Sequence, residues 1–327
     1  MNRLAKTREL GALLDSSKYQ RFLDLDPMGV QLPSFIATVE GLKPGMDLWI
    51  PSSRLPILSQ IAGYFGLRFY TDVFFDRYDE ITLGRFPPSC FNTTRAALAS
   101  VATDSCEGHV FIARSDIELQ ELVSSGWYPL AAGEAIIAKP FPDHDWFGRS
   151  LGYPECCRQF FHDRNDWRFD NTYFAAYSNT NGSPRALCNT LSRHTALYLA
   201  PHIPCSFSCD ATANYASQLE ALIRDESPLY SDAILRRLRM PMLCLSELRL
   251  FVFEGRMDTP FSIVYRDVAP IPPTKRTDQL FDLLCRGDSL LLERCILRIR
   301  RGGSDVGTYF ARSDVHGPNI PFIVECR

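Results

Sequence analysis

The chain has 327 residues, 46% of them hydrophobic, which suits a globular protein with more mass than one small core needs. Its formal net charge of -3 argues against a protein that holds nucleic acid through its overall field. No run reaches the ~18 apolar residues of a membrane span, and Met1-Asn2-Arg3-Leu4-Ala5-Lys6 leads into mixed charge without an apolar secretory core, so a cytoplasmic protein with no membrane partner is expected.

Residues 1–25 place Leu4, Leu10, Leu13 and Leu14 broadly on one side, which predicts an amphipathic helix broken by Asp26-Pro27. Residues 46–50 read as a strand. Pro51-Ser52-Ser53 then caps a helix carrying Leu55, Ile57, Leu58, Ile61 and Phe65, and Gly66 ends it. Residues 68–75 form a second strand, giving a β-α-β order. The order recurs with a strand at 109–113, a helix capped by Ser115-Asp116 and stopped by Gly126, and a strand at 135–138. Residues 30–140 thus predict an α/β layer. No Gly-x-Gly-x-x-Gly or P-loop lysine motif follows these strands, so neither a Rossmann cofactor nor a Walker-type nucleotide site is supported.

Residues 144–226 hold His144, His162, His194 and His202 and read as helices separated by the turn-rich loop 179–184. Ser227-Pro228 ends this segment, and a short helix around 232–239 follows. From Leu245 onward β-type residues dominate. Strands are expected at 248–253 and 261–265, a rigid link at Pro270-Ile271-Pro272-Pro273, a short helix at 279–284, and further strands including 295–299 and 321–324. Arg236-Arg237-Leu238-Arg239 and Arg298-Ile299-Arg300-Arg301 read as solvated faces and not as nucleic-acid sites. The expected class is mixed α+β and α/β. It divides into an α/β region at 1–140, a helical Cys/His region at 141–239 and a small β-rich domain at 240–327.

Eleven cysteines is a high and odd count for a reducing compartment, where clustered cysteines point to metal binding or catalysis. Two clusters stand out: Tyr153-Pro154-Glu155-Cys156-Cys157, and His202-Ile203-Pro204-Cys205-Ser206-Phe207-Ser208-Cys209. Each follows a proline suited to a first helical turn, which places thiols where the helix dipole favours thiolate. A helix starting at Pro154 puts Cys157, Phe160 and Phe161 on one face and turns Cys156 elsewhere. A helix starting at Pro204 puts Cys205 and Cys209 one turn apart, with His202 at the same end. Cys156, Cys157, His202, Cys205 and Cys209 then supply enough ligands for zinc or for an iron–sulfur cluster, both of which accept thiolates. The spacing departs from Cys-x2-Cys knuckles, and no third cysteine follows Cys209 before Cys244. Buried cysteines acting as small hydrophobes are the plain alternative.

The paired elements resemble the signature of a small, uncharacterised prokaryotic family that carries G-Y-P-x-C-C and H-x-P-C-S-x-x-C. The match is confined to the middle third, with vaguer similarity in the preceding α/β part. The resemblance implies a shared site at Cys157, His202, Cys205 and Cys209 and names no reaction.

Three functions follow as expectations. The first is a metal-dependent enzyme holding iron, an iron–sulfur cluster or zinc, with an open position, Cys157 and His202 in catalysis, and a small-molecule or peptide substrate. The second is a binding or scaffold module with a structural zinc. The third is a metal-free thiol catalyst. Gly148-Arg149-Ser150-Leu151-Gly152 matches a nucleophile elbow, but no strand precedes it. Arg286-Gly287-Asp288 reads as a turn. Asp143, His144 and Asp145 read as a solvated polar loop, with a carboxylate or imidazole for metal binding or proton transfer as the alternative, and His194 as a remote support for the cluster.

Overall fold

The computed structural model describes residues 8–14, 17–76, 95–97, 106–125, 130–132, 135–137, 144–164, 172–246, 249–271, 278–311 and 321–327. The single helix expected over 1–25 is interrupted. Helix α1 (Arg8–Leu13) stops, the Ser17 side chain accepts the Tyr19 N–H at 3.2 Å, and a short 3-10 turn (Lys18–Arg21) leads into α2 (Phe22–Leu25). The restart lets Tyr19 and Phe22 both pack on Phe35 of α3 (Leu32–Val39), with ring centroids 6.3 and 4.4 Å away.

Strand β1 (Gly45–Pro51), helix α4 (Leu55–Phe65) and strand β2 (Arg68–Asp76) follow in the expected order. Gly66 ends α4 with φ +68, a left-handed cap that favours glycine. The next strands are β3 (Arg95–Ala97) and β4 (Glu107–Ala113), then α5 (Asp116–Ser125), β5 (Leu130–Ala132) and β6 (Ala135–Ile137). The sheet order is β1-β4-β2-β3-β5-β6. Thus β1 and β2 run parallel but are not neighbours, because β4 inserts between them and pairs antiparallel with both. The sequence order alone does not show this insertion. Its cause lies in β4 itself: Val110, Phe111, Ile112 and Ala113 are all buried, and a strand apolar on both faces takes a central place. Gly126 and Ala138, named as the end of that helix and strand, lie outside the described residues.

The middle of the chain supplies α6 (His144–Ser150), α7 (Glu155–Arg164), α8 (Thr172–Ser178), α9 (Asp210–Glu226) and α10 (Pro228–Leu238). The last begins earlier than expected. Ser227 accepts the Tyr230 N–H at 3.2 Å, so Ser227-Pro228 opens a helix instead of closing a segment. No described helix is long and apolar enough to cross a membrane.

The C-terminal sheet runs β12-β11-β10-β9-β8-β7-β13 and is antiparallel throughout. Its strands are β7 (Met242–Ser246), β8 (Arg249–Thr259), β9 (Ser262–Ile271), β10 (Ser289–Glu293), β11 (Ile296–Arg301), β12 (Ser304–Phe310) and β13 (Phe322–Val324). Pro270 and Ile271, expected in a link, finish β9 opposite Phe251 and Leu250. One face of the sheet packs under α11 (Gln279–Arg286) through Leu243, Phe251, Phe253, Leu280 and Leu284. On the other face, Met242, Cys244, Leu250, Val252, Phe322 and Val324 join the main core. Burial on both faces explains the unbroken apolar run at 250–253. One-sided burial explains the alternation of Leu297 and Ile299 with Arg298 and Arg300.

The main core is continuous from Leu14, Phe35, Leu48 and Leu58 through Leu219 and Tyr230 to Val252 and Phe322. Helix α9 crosses it, burying Thr212, Tyr215, Ala216, Leu219 and Ile223 at helical spacing. That stripe points the first turn of α9 inward, toward the start of α7.

Candidate metal centre

The turn between α6 and α7 sets the first cysteine pair. The Gly152 and Tyr153 N–H groups donate to the Arg149 and Gly148 carbonyls at 2.8 and 2.9 Å, and Gly152 sits at φ +74. Pro154 then accepts from both Cys157 and Arg158 N–H at 3.0 Å, opening α7 where the sequence placed it. Arg158 clamps the corner, donating to Asp145 and to the Tyr153 carbonyl at 2.8 Å each. A Cβ on Gly148 would stand 2.9 Å from Arg158 Cδ. The two glycines therefore serve a packed helical corner. Ser150 ends a helix and is buried, so it is not the exposed nucleophile of an elbow. Cys157 and Phe160 face inward together, and Cys156 is exposed.

The second cluster differs from its sequence expectation. No helix starts at Pro204. Residues 205–208 make a turn in which Cys209 N–H donates to the Ser206 carbonyl at 3.2 Å, and Cys209 is the N-cap of α9. Its Sγ accepts the Thr212 N–H at 3.5 Å. Cys205 therefore reaches the site from a turn and not from one helical turn before Cys209. Serines and a cap-competent cysteine favour such a turn over continuous helix.

The structure gathers Cys156, Cys157, Cys205 and Cys209, whose sulfurs all lie within 4.8 Å of one another. Cys156 is 3.9 Å from Cys157 and 3.7 Å from Cys209, and Cys157 is 3.8 Å from Cys209. Cys205 N–H donates to Cys157 Sγ at 3.4 Å, and Thr212 Oγ1 lies 3.3 Å from the same sulfur. This group of four could hold a metal ion.

The electrostatics of the bare thiols show the strain of that gathering. The Cys157 thiol, with burial opposing, and Thr212 stabilise a Cys209 thiolate and lower its pKa. Donation to Cys209 and then burial raise Cys157, while burial and then Cys209 raise Cys205. One negative charge is tolerated and further charges are resisted, as expected where like charges share a site. A divalent cation removes that conflict.

His202 does not join the sulfurs. Its Nε2 lies 2.9 Å from Thr212 Oγ1, so it touches the centre through that hydroxyl. Burial, then the nearby Lys43 and Arg193 charges, lower its pKa to about 3 and keep the ring neutral. Its ring also meets Tyr153, with centroids 5.2 Å apart. The two sequence elements are therefore joined twice, by sulfur and by the Tyr153–His202 contact.

Sequence reasoning missed three contributors. Cys188, which lies outside both sequence clusters, packs against Cys157 and Cys209 and donates its S–H to the Cys209 carbonyl at 3.3 Å. Thr212 bridges His202 and Cys157, and Tyr153, which the sequence marks only as part of the first cysteine element, meets the His202 ring. The inward stripe of α9 was a signal for Thr212. Nothing local marks Cys188. Cys90 lies outside the described residues. His194 is half-buried and lowered to about 3 by burial and Arg193, and His202 is bonded to Thr212 instead.

No family model matches the chain, and no curated protein or solved structure is similar to it.

Proposed function

We propose that Cys156, Cys157, Cys205 and Cys209 bind one zinc or iron ion as four thiolates, in a mononuclear centre that ties the start of α7 to the start of α9. The sulfur spacing carries this reading. Metal–sulfur bonds of about 2.3 Å in a tetrahedron put the sulfurs about 3.8 Å apart; the separations among Cys156, Cys157 and Cys209 are 3.7, 3.8 and 3.9 Å, and Cys205 completes a group within 4.8 Å. An iron–sulfur cluster spreads its cysteines over several irons, which needs wider spacing than one tetrahedral edge. Four thiolates on a divalent ion carry excess negative charge. The Cys205 and Thr212 N–H groups, the Thr212 hydroxyl and two helix N-termini oppose it.

A closed four-thiolate centre is structural in type. One observation favours an additional reactive role: Cys156 is the exposed ligand and the one most easily exchanged for water or substrate. In that case Cys157 stays bound, and His202 acts on it through Thr212.

Elemental analysis and X-ray absorption of protein purified without oxygen test the proposal. One ion per chain with a four-sulfur shell is expected. Substoichiometric metal, unchanged by Cys205→Ala plus Cys209→Ala, would refute it. In Cys156→Ser, a retained ion with one oxygen in its shell supports the exchangeable position.

A further inference from the structure

Around His202 lies a group of polar side chains that a four-thiolate centre does not use. Lys43 is 2% exposed, and among the described residues it forms no ion pair. Its Nζ stands 5.6 Å from the ring centroid of Tyr153, and Tyr153 stands 5.2 Å from His202. His202 in turn stands 6.1 Å from Tyr215, on the buried stripe of α9. Gly152 holds this group together, because a Cβ there would meet Lys43 Cβ at 2.9 Å.

Two polar atoms of the group are buried without a partner: Nδ1 of His202 and the hydroxyl of Tyr215. Their hydrogen-bonding roles can be assigned. A Cys157 thiolate accepts a hydrogen bond from the Thr212 hydroxyl, so Thr212 Oγ1 must accept from His202 Nε2–H. His202 Nδ1 is then a bare acceptor. The Tyr215 hydroxyl is a donor with no acceptor. A buried ammonium without a counter-ion costs several kcal/mol by order of magnitude. Burial lowers Lys43 to about 8, with Asp47 opposing only in part.

We propose that Lys43, Tyr153, His202 and Tyr215 form a binding site for a small oxyanion that carries its own hydroxyl group, the chemistry shared by hydrogenphosphate and short hydroxycarboxylates. The anionic oxygens accept from Lys43 and Tyr215, and the ligand hydroxyl donates to His202 Nδ1. The chain from ligand through His202 and Thr212 then ends on the Cys157 sulfur. Only the assignment of the His202 tautomer rests on the four-thiolate reading; the buried cation and the unpartnered atoms do not.

Calorimetric titration of inorganic phosphate, glycolate and acetate into the full-length protein and into Lys43→Met and Tyr215→Phe tests this. Phosphate or glycolate binds saturably at one site, and the tighter of the two identifies the source. Acetate, which lacks the hydroxyl, binds roughly tenfold more weakly, the ratio expected for one lost hydrogen bond. Each variant also loses about tenfold or more. Tyr215→Phe removes only an unpartnered hydroxyl and keeps the fold, so it remains informative if Lys43→Met does not fold. Absence of saturable binding of both phosphate and glycolate, or unchanged affinity in Tyr215→Phe, would overturn the proposal. Metal content measured on the same samples separates the two ideas. Protein without metal that binds glycolate defeats the metal centre alone, and metal-loaded protein that binds neither anion defeats the oxyanion site alone.

Discussion

Withdrawing the metal ion is predicted to loosen the junction between α7 and α9 while leaving the C-terminal sheet intact. The magnitude follows from chain topology. Cys157 and Cys209 are 52 positions apart, and a cross-link closing a loop of that length removes about 4 kcal/mol of conformational entropy from the unfolded chain. Stability converts to melting temperature at about 2 °C per kcal/mol in a large domain, so chelation should lower Tm by about 8 °C. Differential scanning calorimetry with and without a strong chelator measures the shift. Hydrogen exchange should locate the loosening at residues 205–213, with β7 and β8 still protected. Cys209→Ala should reproduce both effects without chelator. An unchanged Tm after complete metal removal, or faster exchange in the C-terminal sheet alone, would refute the cross-link.

Two further predictions concern Gly152 and His109. Gly152→Ala should cost more than Gly66→Ala, although both have positive φ. The backbone penalty alone is about 1–2 kcal/mol in each case. Gly66 faces open space, whereas the new methyl at 152 meets Lys43 Cβ at 2.9 Å and Pro44 Cδ at 3.1 Å. Equal losses in urea unfolding would show that the close packing of Gly152 on Lys43 carries no energy. The second prediction concerns His109, whose Nε2 faces Asp47 at 3.4 Å and whose Nδ1 faces Asp72 at 3.5 Å. Burial disfavours its charge, but the two carboxylates outweigh burial, and the pKa is raised. The stability it contributes is therefore full below the unfolded histidine value of about 6.5 and is lost as pH rises through the folded value. Unfolding free energies across that window should fall in the wild type and flatten in Asp72→Asn. A wild-type profile that rises with pH there would contradict the assignment.

Much of the local structure was legible in the residues. Gly66 ends α4 at a left-handed φ, and Ser115 forms the predicted cap of α5 by accepting the Glu118 N–H and donating to its carboxylate. Pro154 opens α7 with Cys157 and Phe160 turned inward. These features depend on dihedral preferences and on partners within four residues, which a sequence states directly. The alternation at 297–300 likewise announced a strand with one wet face, and the mixed class was legible from such elements.

The expectations that missed share a different cause. A helix at Pro204 was plausible from proline placement, yet the serines and the Cys209 cap favoured a turn. The β-α-β order was correct, but β4 entered between its strands because its apolar residues needed cover on both sides. Cys188 and Lys43 carry no local mark at all. By itself, the sequence determined the Gly66 and Ser115 caps, the inward face of α7 and the placing of Cys156 and Cys157 at a helix start, whereas the cap expected from Pro51-Ser52-Ser53 is a 3-10 turn ahead of Arg54, which makes no side-chain cap. Only the tertiary structure decided that four sulfurs meet, that His202 stops at Thr212, and that Lys43 is buried beside Tyr153. Contacts between residues some fifty positions apart are set by how whole apolar faces pack. The inward stripe of α9 and the clamped corner before α7 bring the sulfurs together, and no short window of sequence contains both.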